Sequence, residues 1–205
     1  MAKHNQKKKR SKLAHVLIII GIAFIIVAAI LAAYNLAVDL RAGSKSSSVL
    51  SEMQSQIVTD DDNAKDWQVN PNIGMPTITI DGREYIGVLK LPTLGLTLPV
   101  ASEWSYEALY TSPCRYSGSA YLNNMVIAAH SYRKHFGTLQ NISIGDAVTF
   151  IDAQGNEFNY EVADIETLQP TDVKDMTQSD YDLTLFTCTY GGQSRVTVRC
   201  NIVEN

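Results

Sequence analysis

Apolar and polar positions divide the chain into two textures. Residues 13–38 contain no Asp, Glu, Lys or Arg, and Val16 to Ala33 is uninterrupted apolar sequence. About 20 helical residues cross a bilayer core of roughly 30 Å, so this run predicts a membrane-spanning helix. It exceeds the ~7–15 apolar residues of a cleavable signal peptide, which favours a retained anchor. From Met75 onward the pattern changes to short β-branched and aromatic runs separated by turn residues. Strands are expected at Thr77–Ile80, Tyr85–Leu91, Leu96–Ala101, Ala120–Ala129, Ala147–Asp152, Glu157–Thr167, Leu183–Cys188 and Arg195–Val203. One short helix is expected at Ser102–Tyr110, with Trp104, Ala108 and Leu109 on one face, and at most a single turn at Thr171–Met176. Eight strands with so little helix predict an all-β domain. A closed barrel is the economical form because closure removes exposed edges, and a β-sandwich is the alternative.

Between these textures, residues 39–75 read as a linker. Gly43 to Ser48 is small and polar, Asp60-Asp61-Asp62-Asn63 is a charge cluster, and Asn70-Pro71-Asn72 is turn chemistry. Val49, Leu50, Met53 and Ile57 are spaced for a short helix within it, continuing from the membrane helix. The expected organisation is therefore a basic arm at 1–12, a transmembrane helix at 13–38, a linker at 39–75 and a β-barrel domain at 76–205.

Charge adds orientation. Lys3, Lys7, Lys8, Lys9, Arg10 and Lys12 precede the span, whereas Asp39, Arg41 and Lys45 nearly cancel after it. The positive-inside rule puts the N-terminus in the cytoplasm and the β domain outside. Without the six positive charges of residues 1–12, the formal −4 of the chain becomes −10 for residues 13–205. So acidic a remainder excludes nucleic acid as the expected partner.

Candidate chemistry centres on Asp182–Arg199. A hairpin turning at Gly191-Gly192 pairs 190 with 193, 189 with 194 and 188 with 195. Cys188 and Arg195 then become side-by-side neighbours on one face. A thiol beside a permanent cation suits nucleophilic chemistry, since the cation stabilises negative sulfur and can bind a developing oxyanion. Such a thiol needs a proton carrier. Of the two histidines beyond the membrane segment, His130 follows the apolar run Met125–Ala129 at a strand end. His135, after Arg133-Lys134, is expected to be solvated. Arg199 lies on the same face as Arg195 but opposite Thr184, nearly ~14 Å along the strand. Thr184 and Thr187 alternate faces, so only one can flank Cys188 towards a cleft. Three cysteines leave at least one unpaired; Cys114 and Cys200 are expected as buried thiols, with a disulfide between them left open. No Cys-x-x-Cys or helical His pair is present, and the scattered Asp172, Asp175 and Asp180 are expected to be solvated, so no metal or cofactor is expected.

These pieces resemble the sortases, the cysteine transpeptidases of Gram-positive cell surfaces. The resemblance rests on Ala129-His130, on Thr184-Leu185-Phe186-Thr187-Cys188 and on Arg195-Val-Thr-Val, and it extends from about Ile78 to Val203. It implies an eight-stranded barrel with one or two short helices, preceded by the anchor. It also implies a two-step acyl transfer from a Leu-Pro-x-Thr-Gly-like sorting signal at the C-terminus of a secreted protein to a cell-wall precursor or pilin amine. Cys188 would form the thioester, His130 would move the protons and Arg195 would hold the oxyanion. Thr184 or Thr187 would contact substrate. Asp66-Trp67 matches two residues of the Asp-Pro-aromatic lid of some members but lacks the proline, so no lid is expected. After Val203 no second apolar span or basic tail follows, unlike many pilin-polymerising members. The expectation is a class B-like or other N-terminally anchored subclass. A membrane-anchored cysteine protease, handing the acyl group to water, and a catalytically silent surface-binding module are the competing readings.

Overall fold

The computed structural model describes residues 2–57 and 66–203, with side chains from His15 onward. The side chains of the basic arm and the cluster Asp60–Asn63 lie outside the described residues. Two compact units are present, residues 1–40 and 41–205. Helix α1 covers Ala2–Gln56. In the first unit its apolar side chains from Val16 to Leu36 are exposed, and the helix is long and apolar enough to span a bilayer.

The second unit is built on nine strands: β1 Ile78–Ile80, β2 Arg83–Leu91, β3 Leu96–Ala101, β4 Cys114–Ser117, β5 Met125–Ala129, β6 Ala147–Asp152, β7 Glu157–Leu168, β8 Leu183–Cys188 and β9 Arg195–Ile202. They lie in the order β1-β2-β3-β4-β5-β8-β9-β7-β6, and β6 pairs back onto β2. That closure makes an eight-stranded barrel from β2 to β9, with β1 as a short hairpin extension of β2. Gly87 sits at the seam opposite Asp152. A Cβ there would collide with the carbonyl oxygen of Ile151 and the ring of Phe150, so only glycine lets β6 approach. Most neighbours are antiparallel, but β3 and β4 meet in parallel at Ala101 and Cys114, and β5 and β8 run parallel, with Met125 opposite Leu183 and Ala129 opposite Thr187.

Barrel strands alternate inward and outward side chains. Inward residues such as Leu89, Ile127, Phe150, Leu185 and Val198 are fully buried and form the interior core. Outward residues form a second cluster in which Tyr85, Val88, Cys114 and Ala128 pack with Ala108 and Leu109 of α3 (Tyr106–Leu109). The same cluster takes Val49 and Met53 from α1. The helix expected at Val49–Ile57 is thus present as the end of α1, and the small, polar stretch Gly43–Ser48 before it is helical and packed as well. Ala42, Ser46, Val49 and Met53 are buried at 3–4-residue spacing, and Ser47 Oγ donates to the Gly43 carbonyl.

Two other elements differ from expectation. Residues 120–122 form a 3-10 turn rather than the start of a strand, because Ser119 caps it by accepting the Tyr121 N–H. Strand β4 has too few apolar residues to stand out in sequence; it forms because Cys114 pairs with Ala101 on one side and Ala128 on the other, and Arg115 and Ser117 continue the pairing with Ile127 and Val126. Trp67, on the single turn α2 (Asp66–Val69), stacks on Tyr121 at 5.4 Å and lies 5.0 Å from Phe158. Phe158 is the second residue of β7, whereas Leu168 at its other end pairs with Arg195, so Trp67 sits at the barrel end away from Cys188.

Met53 is fully buried, and Met53→Ala is expected to lower stability by about 2–5 kcal/mol. Exposed Glu52→Ala should change it by less than about 0.5 kcal/mol. Denaturant unfolding of the detergent-solubilised chain, followed by the fluorescence of Trp67 and Trp104, measures both. Equal small effects would show that residues 41–56 contribute nothing to the domain.

Candidate active site

Cys188 ends β8, and its position follows from two registers. Towards β9 the antiparallel pairing sets Cys188 opposite Arg195 and Thr184 opposite Arg199. Towards β5 the parallel pairing ends at Ala129 opposite Thr187, so the next residues, His130 and Cys188, leave adjacent strands side by side. His130, Cys188 and Arg195 therefore stand in one row across three neighbouring strands, each roughly 4.8 Å from the next. The row lies on the outer face, because Phe186 and Ala128, two residues back, belong to the outer cluster while Leu185 and Ile127 point into the barrel.

The hairpin reaches the expected register by a different turn. The Gly192 N–H donates to the Thr189 carbonyl at 2.8 Å, and Thr189 N–H donates to Ser194 O at 2.9 Å. Residues 190 and 193 thus belong to a four-residue loop. Gly191 and Gly192, at φ +86° and +74°, adopt the left-handed conformation that it requires. The Thr189 hydroxyl accepts the Ser194 N–H, which braces the loop beside the thiol. Arg195 is half-buried, and its Nη1 donates to the carbonyls of Gly192 and Ser194 at 3.2 and 3.0 Å.

The His130 main chain is held by the loop that follows it. Phe136 N–H donates to the His130 carbonyl, and Gly137 N–H donates to Tyr132 O. The imidazole lies between Tyr110 and Tyr132, at centroid distances of 5.2 and 5.1 Å. Its Nε2 is buried without a hydrogen bond, and burial pushes its pKa below the usual 6.5. The neutral imidazole is the form that accepts a proton.

His135 departs from expectation: it is fully buried, its ring 5.5 Å from Tyr132. A tight turn, with His135 N–H on the Tyr132 carbonyl, folds it under the loop while Arg133 and Lys134 stay outside. Cys114 and Cys200 are free, buried thiols, one in the outer cluster and one in the interior core. Burial pushes both pKa values up to about 12, which suits packing rather than chemistry.

One depression adjoins the thiol, and a second lies beside Arg195. The first, of about 140 Å³, is lined by Cys188, Thr187 and Val196 together with Phe136 and Gly137 of the histidine loop. The other, of only about 30 Å³, lies on the outer face between Tyr116, Phe186 and Arg195 and the β7–β8 connection, which supplies Pro170, Val173 and Met176. Thr184 shares the face of Cys188 but is buried, its hydroxyl accepting from Arg199 at 2.9 Å. Thr187 points inward and donates to the Ala129 carbonyl at 2.8 Å, tying β8 to β5 next to the row. The single turn expected at Thr171–Met176 is α4 (Val173–Thr177), but its place as a wall is not legible in the sequence, where Val173 and Met176 are an isolated apolar pair among polar residues.

The depressed pKa of His130 gives a stability signature. An unfolded histidine takes a proton near pH 6.5, and folded His130 only at lower pH. Between the two values the unfolded state binds more protons, so stability falls as pH drops through that window. His130→Gln should remove this slope, so the stability difference between the wild type and the variant should shift against the wild type on going from pH 7 to pH 5. A pH-independent difference, measured by denaturant unfolding, would contradict a buried neutral imidazole.

Comparison with known proteins agrees with this geometry. A family model described as Sortase domain matches residues 89–203. Among solved structures, a sortase D5 transpeptidase of Clostridium perfringens superposes with a TM-score of 0.61 at 20% identity, over 78% of this chain and 99% of that one. Sortase C1 of Streptococcus agalactiae does so with a TM-score of 0.60 at 23% identity, over 77% and 98% of the two chains. Sortase C of Streptococcus pneumoniae gives 0.61 at 20% identity, over 77% and 97%. No curated protein matches the chain in sequence. With the family model covering more than half of its residues and the barrel superposing on sortase structures, this chain belongs to the sortase family of cysteine transpeptidases.

Proposed function

We propose that the protein is a membrane-anchored transpeptidase that cleaves a Leu-Pro-x-Thr-Gly-like sorting signal of secreted proteins and joins the new carboxyl end to a cell-wall or pilin amine. The observation that carries this reading is the single row of His130, Cys188 and Arg195 on three adjacent strands. The outer depression, apolar at Phe186, Val173 and Met176, suits the apolar residues before the scissile bond. The depression at the barrel end, beside the histidine loop, suits the departing and arriving amines.

In the first step the Cys188 sulfur attacks the Thr carbonyl and its proton passes to neutral His130. Arg195 turns from the hairpin carbonyls to the oxyanion of the tetrahedral intermediate. His130 then protonates the departing glycine amine, which leaves a thioester. An incoming amine attacks that thioester, gives its proton to His130, and the sulfur leaves and recovers it. The thioester conserves the energy of the broken peptide bond, so no ATP is consumed. Thr187 acts by locking the strand pair that carries the thiol and the histidine. The apolar helix of residues 13–38 holds the enzyme at the membrane, and the basic arm keeps the N-terminus in the cytoplasm.

Incubation of the detergent-solubilised chain with a Leu-Pro-x-Thr-Gly peptide, with and without triglycine, tests the reaction. A ligated product that appears only with triglycine is expected, and hydrolysis unaffected by acceptor would favour a protease. Cys188→Ala should abolish turnover. His130→Ala should lower kcat about 10²–10⁴-fold, and Arg195→Ala about 10²–10³-fold. Retention of wild-type kcat by Arg195→Ala would remove arginine from the mechanism.

A further inference from the structure

Arg199 is the largest fully buried side chain in the described structure, 2% exposed, four residues along β9 from Arg195. Its guanidinium meets an unusually complete set of acceptors. Nε donates to Glu166 Oε1 at 2.7 Å, and Nη1 donates to Thr184 Oγ1 at 2.9 Å, Ser179 Oγ at 3.2 Å and the Met176 carbonyl at 3.3 Å. Nη2 donates to the Asp175 carbonyl at 2.7 Å. Three of these five acceptors belong to the segment 175–179, which includes the C-terminal part of α4. The sole carboxylate among them, Glu166, is itself partly exposed.

Burying a guanidinium is unfavourable unless its donors are met. Here they are met only when the β7–β8 connection lies in place, so the burial of Arg199 and the position of that connection are one structural event. A helix of five residues cannot hold its own shape, because so short a helix forms too few internal bonds to offset nucleation. Yet α4 carries Val173 and Met176, which wall the outer depression beside Phe186 and Arg195. We propose that Arg199 is a positioning residue for substrate capture: by clamping the carbonyls of Asp175 and Met176 it fixes the wall against which the acyl side of the sorting signal lies. The inference rests on the proposed reaction and on the outer depression as its substrate groove. Arg199 touches none of the reacting atoms, so it acts on KM rather than on kcat.

Lysine at this position keeps the charge but loses the planar fork, and it reaches fewer of the five acceptors. Arg199→Lys in the full chain, assayed on Leu-Pro-x-Thr-Gly peptides with x randomised, should raise KM about tenfold or more and leave kcat within about threefold. Hydrogen exchange should accelerate at the amides of Met176 and Gln178, which bond to Asp172 and Lys174 within α4, and not in the barrel strands. Alkylation of Cys188 by iodoacetamide should proceed at the wild-type rate, since the thiol row is intact. Glu166→Gln, which removes the countercharge, and Ser179→Ala, which removes one acceptor, should move KM and exchange in the same direction by about two- to fivefold, and they decide the matter if Arg199→Lys does not fold. A fall in kcat at unchanged KM, or unchanged KM and exchange, would overturn the proposal. If the wild type leaves every peptide intact, the proposed substrate fails, and the exchange measurement alone decides whether Arg199 holds the segment.

Discussion

The site depends on strand register. Parallel pairing of β5 with β8 and antiparallel pairing of β8 with β9 bring His130 and Arg195 to either side of Cys188. A slip of one residue in either pairing would turn a side chain of the row into the barrel, because facing alternates with every residue. The register is fixed from within. Leu183, Leu185, Ile127 and Val198 are fully buried in the interior, and each would be displaced to the outer face by the same slip. Thr187 adds a lock at the last rung through its bond to the Ala129 carbonyl. The hydrophobic core and the chemistry therefore share one constraint.

An outer-face site needs its own support, since the barrel interior cannot enclose it. Three devices supply that support. The aromatic series Trp104, Tyr116 and Phe186 continues the sheet surface towards the thiol through edge contacts at 5.8 and 5.4 Å. The loop 130–137 folds back on His130, and the resulting burial keeps the imidazole neutral. Arg199 draws the β7–β8 connection down beside Arg195. The two arginines of β9 thus divide their labour by environment. Arg195 is half-buried and donates to main-chain carbonyls of the glycine hairpin, whereas Arg199 is sealed in.

Much of this is legible in the sequence where local pattern and register decide. The pairing of Cys188 with Arg195 follows from the hairpin, and the strand-end position of His130 follows from the run Met125–Ala129. The barrel of eight strands is also legible, though not strand by strand: β4 goes unseen because Cys114–Ser117 has little apolar content, and β1, counted as a barrel strand, is an extension of β2. What stays hidden is set by tertiary partners. The helix carrying Val49 and Met53 is foreshadowed by their spacing, but residues 41–48 look like a linker because packing against the domain requires small residues at Ala42 and Ser46, which composition cannot tell from flexibility. His135 looks solvated because its neighbours are charged, yet one tight turn buries it. The burial of Arg199 is invisible from its strand, since its acceptors at 166 and 175–184 come together only on folding.

The central claim is that Cys188 carries the acyl group as a thioester. Intact-mass spectrometry of the full chain, quenched in acid after brief exposure to a Leu-Pro-x-Thr-Gly peptide without an amine acceptor, tests it directly. The account predicts an adduct of the peptide's acyl part, located at Cys188 by fragmentation and released by hydroxylamine at neutral pH. Cleavage of the peptide with no adduct on the protein, or an adduct on Cys114 or Cys200, would contradict it.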